Sequence, residues 1–202
     1  MSKRPSREDV LSVHAGLRPL VKVGDAKSTA ALSRDHTILI SNSGLLTIAG
    51  GKWTTYRKMA QDAVEQAETM AGFEERPCKT EHLQIHGWTT QKISKSNLRV
   101  YGADAPAIEE IADEAPELRE KTHPELPYIG AEVVWAVREE MARTVEDVLS
   151  RRTRALLLGA RASMEAAPRV AALIAKETGR DEAWAAKAVQ EYNKVAQRYV
   201  LK

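Results

Sequence analysis

Over the first 75 residues the apolar positions fall in short clusters, and from about residue 91 they settle into the three-and-four spacing of helices. The clusters at 10–20, 32–41 and 45–49 are closely spaced. Residues 24–28 separate the first two, and Asn42-Ser43-Gly44 separates the second from the third as a tight hairpin would, so three β-segments are expected. A helix is predicted over 54–71. Its apolar residues Tyr56, Met59, Ala60, Ala63, Val64, Ala67, Met70 and Ala71 share one face, and Gly72 is placed to end it. Residues 76–90, with Pro77 and the short alternating run His82-Leu83-Gln84-Ile85-His86, read as a linker.

Residues 91–202 are rich in Ala, Glu, Arg and Leu, the composition of a small all-α domain. Helices are expected near 92–101, 105–115, 131–142, 145–150, 154–158, 167–178 and 182–200. Asp104 stands where a cap belongs, Thr144 and Asp147 have the spacing of a capping-box variant, and Gly179 before Asp181 marks a stop and restart. Trp184, Ala188, Tyr192, Val195 and Tyr199 share a face of the last helix. The expected fold is therefore mainly α. Short antiparallel β-segments and one helix occupy residues 1–75, and a helical domain follows the linker.

The junction Gly50-Gly51-Lys52-Trp53-Thr54-Thr55-Tyr56-Arg57 joins the third β-segment to the helix. Paired glycines let the backbone turn without a Cβ penalty and let a flat ligand approach it. Thr54 or Thr55 can cap the helix, whose first free amides carry a partial positive charge. Lys52 adds a full charge beside them. An anionic ligand fits such a place.

Composition narrows the function. Thirty Lys and Arg against 28 Asp and Glu leave a net charge of +2 over 202 residues, without the basic excess of a nucleic-acid binder. Cys78, the only cysteine, excludes an internal disulfide and a cysteine metal cluster. The polar, basic first nine residues lack a secretory apolar stretch, and the aliphatic cluster at 155–160 is too short to span a bilayer. A cytoplasmic protein is expected, with a peripheral contact at the inner face of the cell membrane left open. The five histidines lack helical metal-ligand spacing and read as partly buried structural residues, although His14 and His36 flank motifs that could line a pocket. Arg151, Arg152, Arg154, Arg161 and Arg169 read first as a solvated face.

Three motifs, in order, carry a resemblance: Ala15-Gly16-Leu17-Arg18-Pro19-Leu20, Ser33-Arg34-Asp35-His36, and the Gly50 to Arg57 junction. Together they resemble the FAD-dependent glycerol-3-phosphate dehydrogenase family, and the helical region is similar to that family's C-terminal domain in composition and spacing. The resemblance implies oxidation of sn-glycerol 3-phosphate to dihydroxyacetone phosphate, with hydride passing to FAD and electrons to a quinone, or to oxygen in related oxidases. It implies flavin contacts from Gly50, Gly51, Lys52, Trp53, Thr54 and Thr55, and substrate contacts from Arg18, Arg34 and Lys52. It assigns no catalytic base here. A guanidinium pair suits a phosphate dianion, and Lys52 with the helix start suits the charge of a reduced flavin.

The chain contains no G-x-G-x-x-G, the fingerprint that clamps the dinucleotide pyrophosphate. The resemblance covers nearly all of the chain but only the C-terminal part of the enzyme. An inactive fragment that does not hold FAD alone is expected, with an N-terminal FAD domain as its partner and homo-oligomerisation left open. The contrasting readings are a helical protein-interaction module with a non-functional N-terminal remnant, and a fragment of a glycerophosphate oxidase.

Overall fold

The computed structural model of the chain describes residues 4–17, 21 and 35–201. It divides into two compact units. One is Gly16–Ile85, and the other combines Met1–Ala15 with His86–Lys202.

In the first unit, β1 (His36–Ile40) and β2 (Leu46–Gly50) form an antiparallel pair in which His36 faces Gly50, Ile38 faces Ile48, and Ile40 faces Leu46. The turn between them is tied by Gly44 N–H to the Ser41 carbonyl at 2.9 Å and by Leu45 N–H to Ser41 Oγ at 3.0 Å. After β2 a 3₁₀ turn, Trp53–Thr55, leads into α1 (Tyr56–Ala71). Gly72 ends α1 at φ 67°, and Phe73 N–H closes back on the Glu68 carbonyl at 3.0 Å, a glycine stop of the kind the sequence suggests. No described residue between 35 and 85 is buried. On α1, Tyr56 is 53% exposed and Val64 57%. A 16-residue helix is marginal without a surface to cover its apolar face, and this unit supplies little of one.

The second unit holds the core. A 3₁₀ segment (Ser96–Asp104) precedes α2 (Ala105–Glu114), α3 (Pro116–Arg119) and α4 (Gly130–Arg138). A π turn (Asp147–Arg152) leads to α5 (Ala155–Leu158), α6 (Ala160–Thr178) and α7 (Glu182–Ala196), followed by a 3₁₀ turn (Gln197–Tyr199). Val133, Val148, Leu149, Leu156, Val170, Ile174 and Tyr192 belong to one buried cluster; Leu98, Ile108, Leu118 and Val134 belong to a second. Thr144 and Asp147 cap reciprocally, with Thr144 N–H to Asp147 Oδ2 at 3.0 Å and Asp147 N–H to Thr144 Oγ1 at 3.1 Å. Asp181 accepts Trp184 N–H at 2.8 Å.

Several expectations need correction. The segment expected as a strand at 10–20 is not one over residues 10–17. It is a strap on the helical unit, with Val13 N–H donating to the Tyr199 carbonyl at 2.8 Å and Leu11 O accepting from Ala160 N–H at 2.9 Å. Its backbone bonds are met by helix ends rather than by another strand. Residues 18–20 lie outside the described part. Asp104 does not cap α2; its Oδ2 meets His86 Nε2 at 2.7 Å. The helix expected over 131–142 stops at Arg138, with Met141 turned to φ 58°. The short helix α3 carries no amphipathic signal at four residues and goes unpredicted. The helix expected from 167 begins at Ala160 and carries Pro168 inside it. A proline there costs about 3 kcal/mol, but Ala160, Ala162, Ala166, Ala167, Val170 and Ala171 are all buried around it, and their packing outweighs that cost.

Candidate functional site

The turn between β2 and α1 is built by its two glycines. Gly50 stands at φ 79° and Gly51 at φ 84°, the left-handed region that other L-residues avoid. Close approach reinforces the choice. A Cβ on Gly50 would lie 3.0 Å from the Asp35 carbonyl oxygen and 3.1 Å from Val21 Cγ2; one on Gly51 would lie 2.5 Å from Met59 Sδ. The backbone therefore runs bare across the end of β1 and under the first turns of α1.

Thr55 holds the next step. Its hydroxyl donates to the Lys52 carbonyl at 3.0 Å and accepts Lys52 N–H at 3.3 Å. It stands at the N-cap of α1 but makes no side-chain cap bond into the helix. The capping role expected of Thr54 or Thr55 is thus replaced by a backward tie, because the intervening 3₁₀ turn moves the hydroxyl away from the α1 amides. Lys52, Trp53 and Thr54 are left exposed. Trp53 is 85% exposed and stacks on Tyr56, with ring centroids 5.3 Å apart and 26° between planes. Lys52 has no carboxylate within ion-pair distance among the described residues. A bare glycine backbone, an exposed aromatic pair and an ammonium group can accept a flat, electron-rich ligand.

The surroundings brace this turn. His36 Nε2 meets Asp62 Oδ2 at 2.9 Å, and Lys58 Nζ meets Asp62 Oδ1 at 2.7 Å. The Lys58 hydrogen bond, with His36 adding to it, holds the Asp62 carboxyl below its ordinary range. Position alone marked His36 as a flank, whereas its partner Asp62, 26 residues later, becomes visible only in the fold. Arg57 points elsewhere, with Nη1 donating to Gln61 Oε1 at 3.0 Å and Thr80 Oγ1 at 3.3 Å. Cys78 lies exposed beside them, its thiol pushed below the ordinary value by the Thr80 hydroxyl, 3.1 Å away, and by Arg57. Thus Gly50, Gly51, Lys52, Trp53, Thr54 and Thr55 stand together, while Arg18 and Arg34 lie outside the described residues.

A strongly perturbed group sits in the helical unit. Glu132 is fully buried; its carboxylate accepts Ile129 N–H at 2.8 Å, the Tyr101 hydroxyl at 3.1 Å and Asn97 Nδ2 at 3.4 Å. Burial pushes its carboxyl up to about 7 against those three bonds. Glu132 was not among the site residues expected from the sequence. Its signal was an acid at the third position of a helix, placed to reach back to the residue before that helix.

The described residues thus comprise a helical unit and, in the other unit, a β-hairpin followed by a helix, with Lys52, Trp53 and Thr54 exposed at the turn between strand and helix. The profile of the family described as the C-terminal domain of alpha-glycerophosphate oxidase matches residues 43–185, and the chain belongs to that family. Among similar proteins, the mitochondrial glycerol-3-phosphate dehydrogenase of Mus musculus is 35% identical over 214 residues, covering 96% of this chain and 29% of that protein. The probable mitochondrial glycerol-3-phosphate dehydrogenase of Caenorhabditis elegans is 36% identical, covering 86% of this chain and 27% of that protein. The crystal structure of the glycerol-3-phosphate dehydrogenase from Bacillus halodurans, complexed with FAD, superposes with a TM-score of 0.70 at 25% identity, over 99% of this chain and 42% of that one. The chain spans less than a third of the length of these two curated relatives.

Proposed function

We propose that this chain supplies one wall of the flavin site, and the helical domain, of an FAD-dependent enzyme that oxidises sn-glycerol 3-phosphate to dihydroxyacetone phosphate. It works with a dinucleotide-binding portion that provides the pyrophosphate clamp. The observation that carries the reading is the turn itself: two glycines held at positive φ, opening onto exposed Lys52 and Trp53, in a chain of this family. The residues fit one edge of a flavin, since two glycines at positive φ leave a bare backbone that a flat ring can approach.

Bound FAD supplies the hydride acceptor. The chain's own residues do the rest on this side. Lys52 favours negative charge developing on the ring beside it. Trp53 and Tyr56 form an apolar wall that excludes water. Arg18 and Arg34 hold the substrate phosphate as paired guanidinium donors. Quinone takes the electrons onward. The uncovered face of α1 suits packing against the dinucleotide-binding portion, which fits a role as part of an enzyme better than a free-standing helical interaction module.

The test mixes the chain with a separately expressed FAD-binding portion of a family member. Flavin absorbance co-eluting with the chain and dihydroxyacetone phosphate formation are expected, both falling with Lys52→Ala, with reduction of added quinone and no peroxide. The chain alone is expected to purify colourless. A mixture that neither retains flavin nor turns over substrate defeats the proposal; peroxide in place of reduced quinone would favour the oxidase.

A further inference from the structure

We infer that the helical unit carries a binding cleft for a small organic monoanion, a carboxylate with a short apolar body, between residues 143–146 and α7. This holds whether or not the chain contacts a flavin. Every residue lining the cleft belongs to the helical unit, and its volume is about 290 Å3, at the lower end of the range for small-molecule sites. Buried Val145, Ala188 and Tyr192, with half-buried Val195 and Trp184, give it an apolar floor and wall.

Four charged residues complete the lining: Glu146, Glu191, Arg143 and Arg180. The acids already have cations. Glu146 Oε1 takes Arg151 Nη2 at 2.8 Å, and Glu191 lies 3.8 Å from Lys187 Nζ one helical turn earlier. The arginines are held by carbonyl oxygens instead. Arg143 Nη1 donates to Val137 O and to Ala142 O, each at 3.0 Å. Arg180 Nη1 donates to Arg143 O at 3.0 Å, and its guanidinium lies 4.3 Å over the Trp184 ring. Among the described residues, no carboxylate lies within ion-pair distance of either arginine. Carbonyls and a ring face orient a guanidinium without neutralising it. The charge left unmatched at the cleft is therefore positive.

A guanidinium presents five N–H donors in a rigid fork. Each arginine commits one nitrogen to carbonyls, and the remaining donors suit a carboxylate. Because those carbonyls already fix both side chains, a ligand does not have to order them. The apolar floor gains nothing from a bare inorganic anion, and the two acids oppose a multiply charged one. A monocarboxylate whose apolar body covers Val145 and Trp184 satisfies both conditions. Once bound, it ties residues 143–146 to the junction of α6 and α7, so the folded helical unit gains stability by linkage.

The experiment titrates benzoate, benzamide and inorganic phosphate into the isotopically labelled full chain and reads indole and amide N–H signals by nuclear magnetic resonance. Benzoate is expected to shift the Trp184 indole, assigned with Trp184→Phe, and the amides of residues 143–146, with a Kd on the order of a millimolar. Benzamide has the shape without the charge, and phosphate the charge without the body. Each should bind at least about tenfold more weakly. Arg180→Gln, an exposed substitution, should weaken benzoate about tenfold, and Arg143→Gln likewise. Amide signals away from the cleft report whether each variant is folded; should Arg143→Gln unfold, Arg180→Gln decides. Cleft signals that stay still up to about 10 mM benzoate overturn the inference. So does benzamide or phosphate binding as tightly as benzoate, or undiminished benzoate binding by folded Arg180→Gln.

Discussion

Replacing Glu132 by glutamine should flatten the pH dependence of the helical unit's stability. The carboxyl is wholly buried at the start of α4, where it accepts bonds from Ile129, Tyr101 and Asn97. Its pKa rises from the ordinary 4.5 to about 7, chiefly through burial, with the nearby Glu140 charge adding to it. The folded value lies above the unfolded one. Below pH 4.5 the group is protonated in both states, so its favourable contribution is fully present. Between 4.5 and 7 the unfolded chain releases the proton while the folded chain keeps it, and stability falls by about 1.4 kcal/mol per pH unit. Above 7 both states are ionised and the loss is complete. Over that window of about two and a half units the loss is about 3 kcal/mol. Glutamine stays neutral throughout, and the Tyr101 hydroxyl can turn to accept from its amide as it does from a protonated carboxyl. Urea unfolding followed by tryptophan fluorescence at pH 4.5, 6, 7 and 8.5 would compare the two proteins. Parent and Glu132→Gln should differ by a constant amount below 4.5, separate progressively towards pH 7 in favour of the variant, and run parallel beyond it. All other titrating groups are shared, so the difference isolates Glu132. Curves that stay parallel across the whole range would refute the argument that burial outweighs the three hydrogen bonds.

Gly102→Ala should destabilise the helical unit by about 3 kcal/mol, because Gly102 stands at φ 56° and its new Cβ would press on the Gly87 carbonyl, which accepts Ala103 N–H at 2.9 Å; the urea midpoint reads this, and an unchanged midpoint refutes it. Tyr192→Phe removes the buried hydroxyl that meets Ser163 Oγ and should cost about 1–2 kcal/mol. Most of that loss should be recovered in the double variant with Ser163→Ala, which leaves no orphaned hydroxyl at that pair, as thermal melts would reveal. Cys78 should alkylate with an apparent pKa below that of a free thiol, and Thr80→Val should move it upward, since the Thr80 hydroxyl is the leading cause of its shift. An identical rate–pH profile for both proteins would dismiss that cause.

Much of the architecture was legible because it rests on local chemistry. The hairpin follows from Asn42-Ser43-Gly44 between two apolar runs, and the observed pairing of His36 with Gly50 keeps that register. The span of α1 follows from its apolar period and from Gly72, and the Thr144 and Asp147 pair caps as its spacing suggests. The helix expected from 167 starts seven residues earlier, at Ala160, and runs through Pro168. Burial of α6's own Ala162, Ala166, Ala167 and Ala171 makes the helical path the better one there. Thr55 departed from its simple capping role because one 3₁₀ turn, unmarked in the residues, reverses its hydroxyl.

At the glycine pair the two kinds of information divide clearly. The sequence by itself determined that Gly50 and Gly51 end a strand, that Lys52 follows them, and that an amphipathic helix comes next, since residue type and period act over a few positions. Only the tertiary structure decided what lies behind each glycine: the Asp35 carbonyl behind Gly50, and Met59 behind Gly51. The same holds for Asp62 meeting His36, for Tyr199 receiving the strap, and for Glu132 losing its water. These are contacts between residues distant in the chain, and their energies depend on burial and on distances that no local pattern encodes.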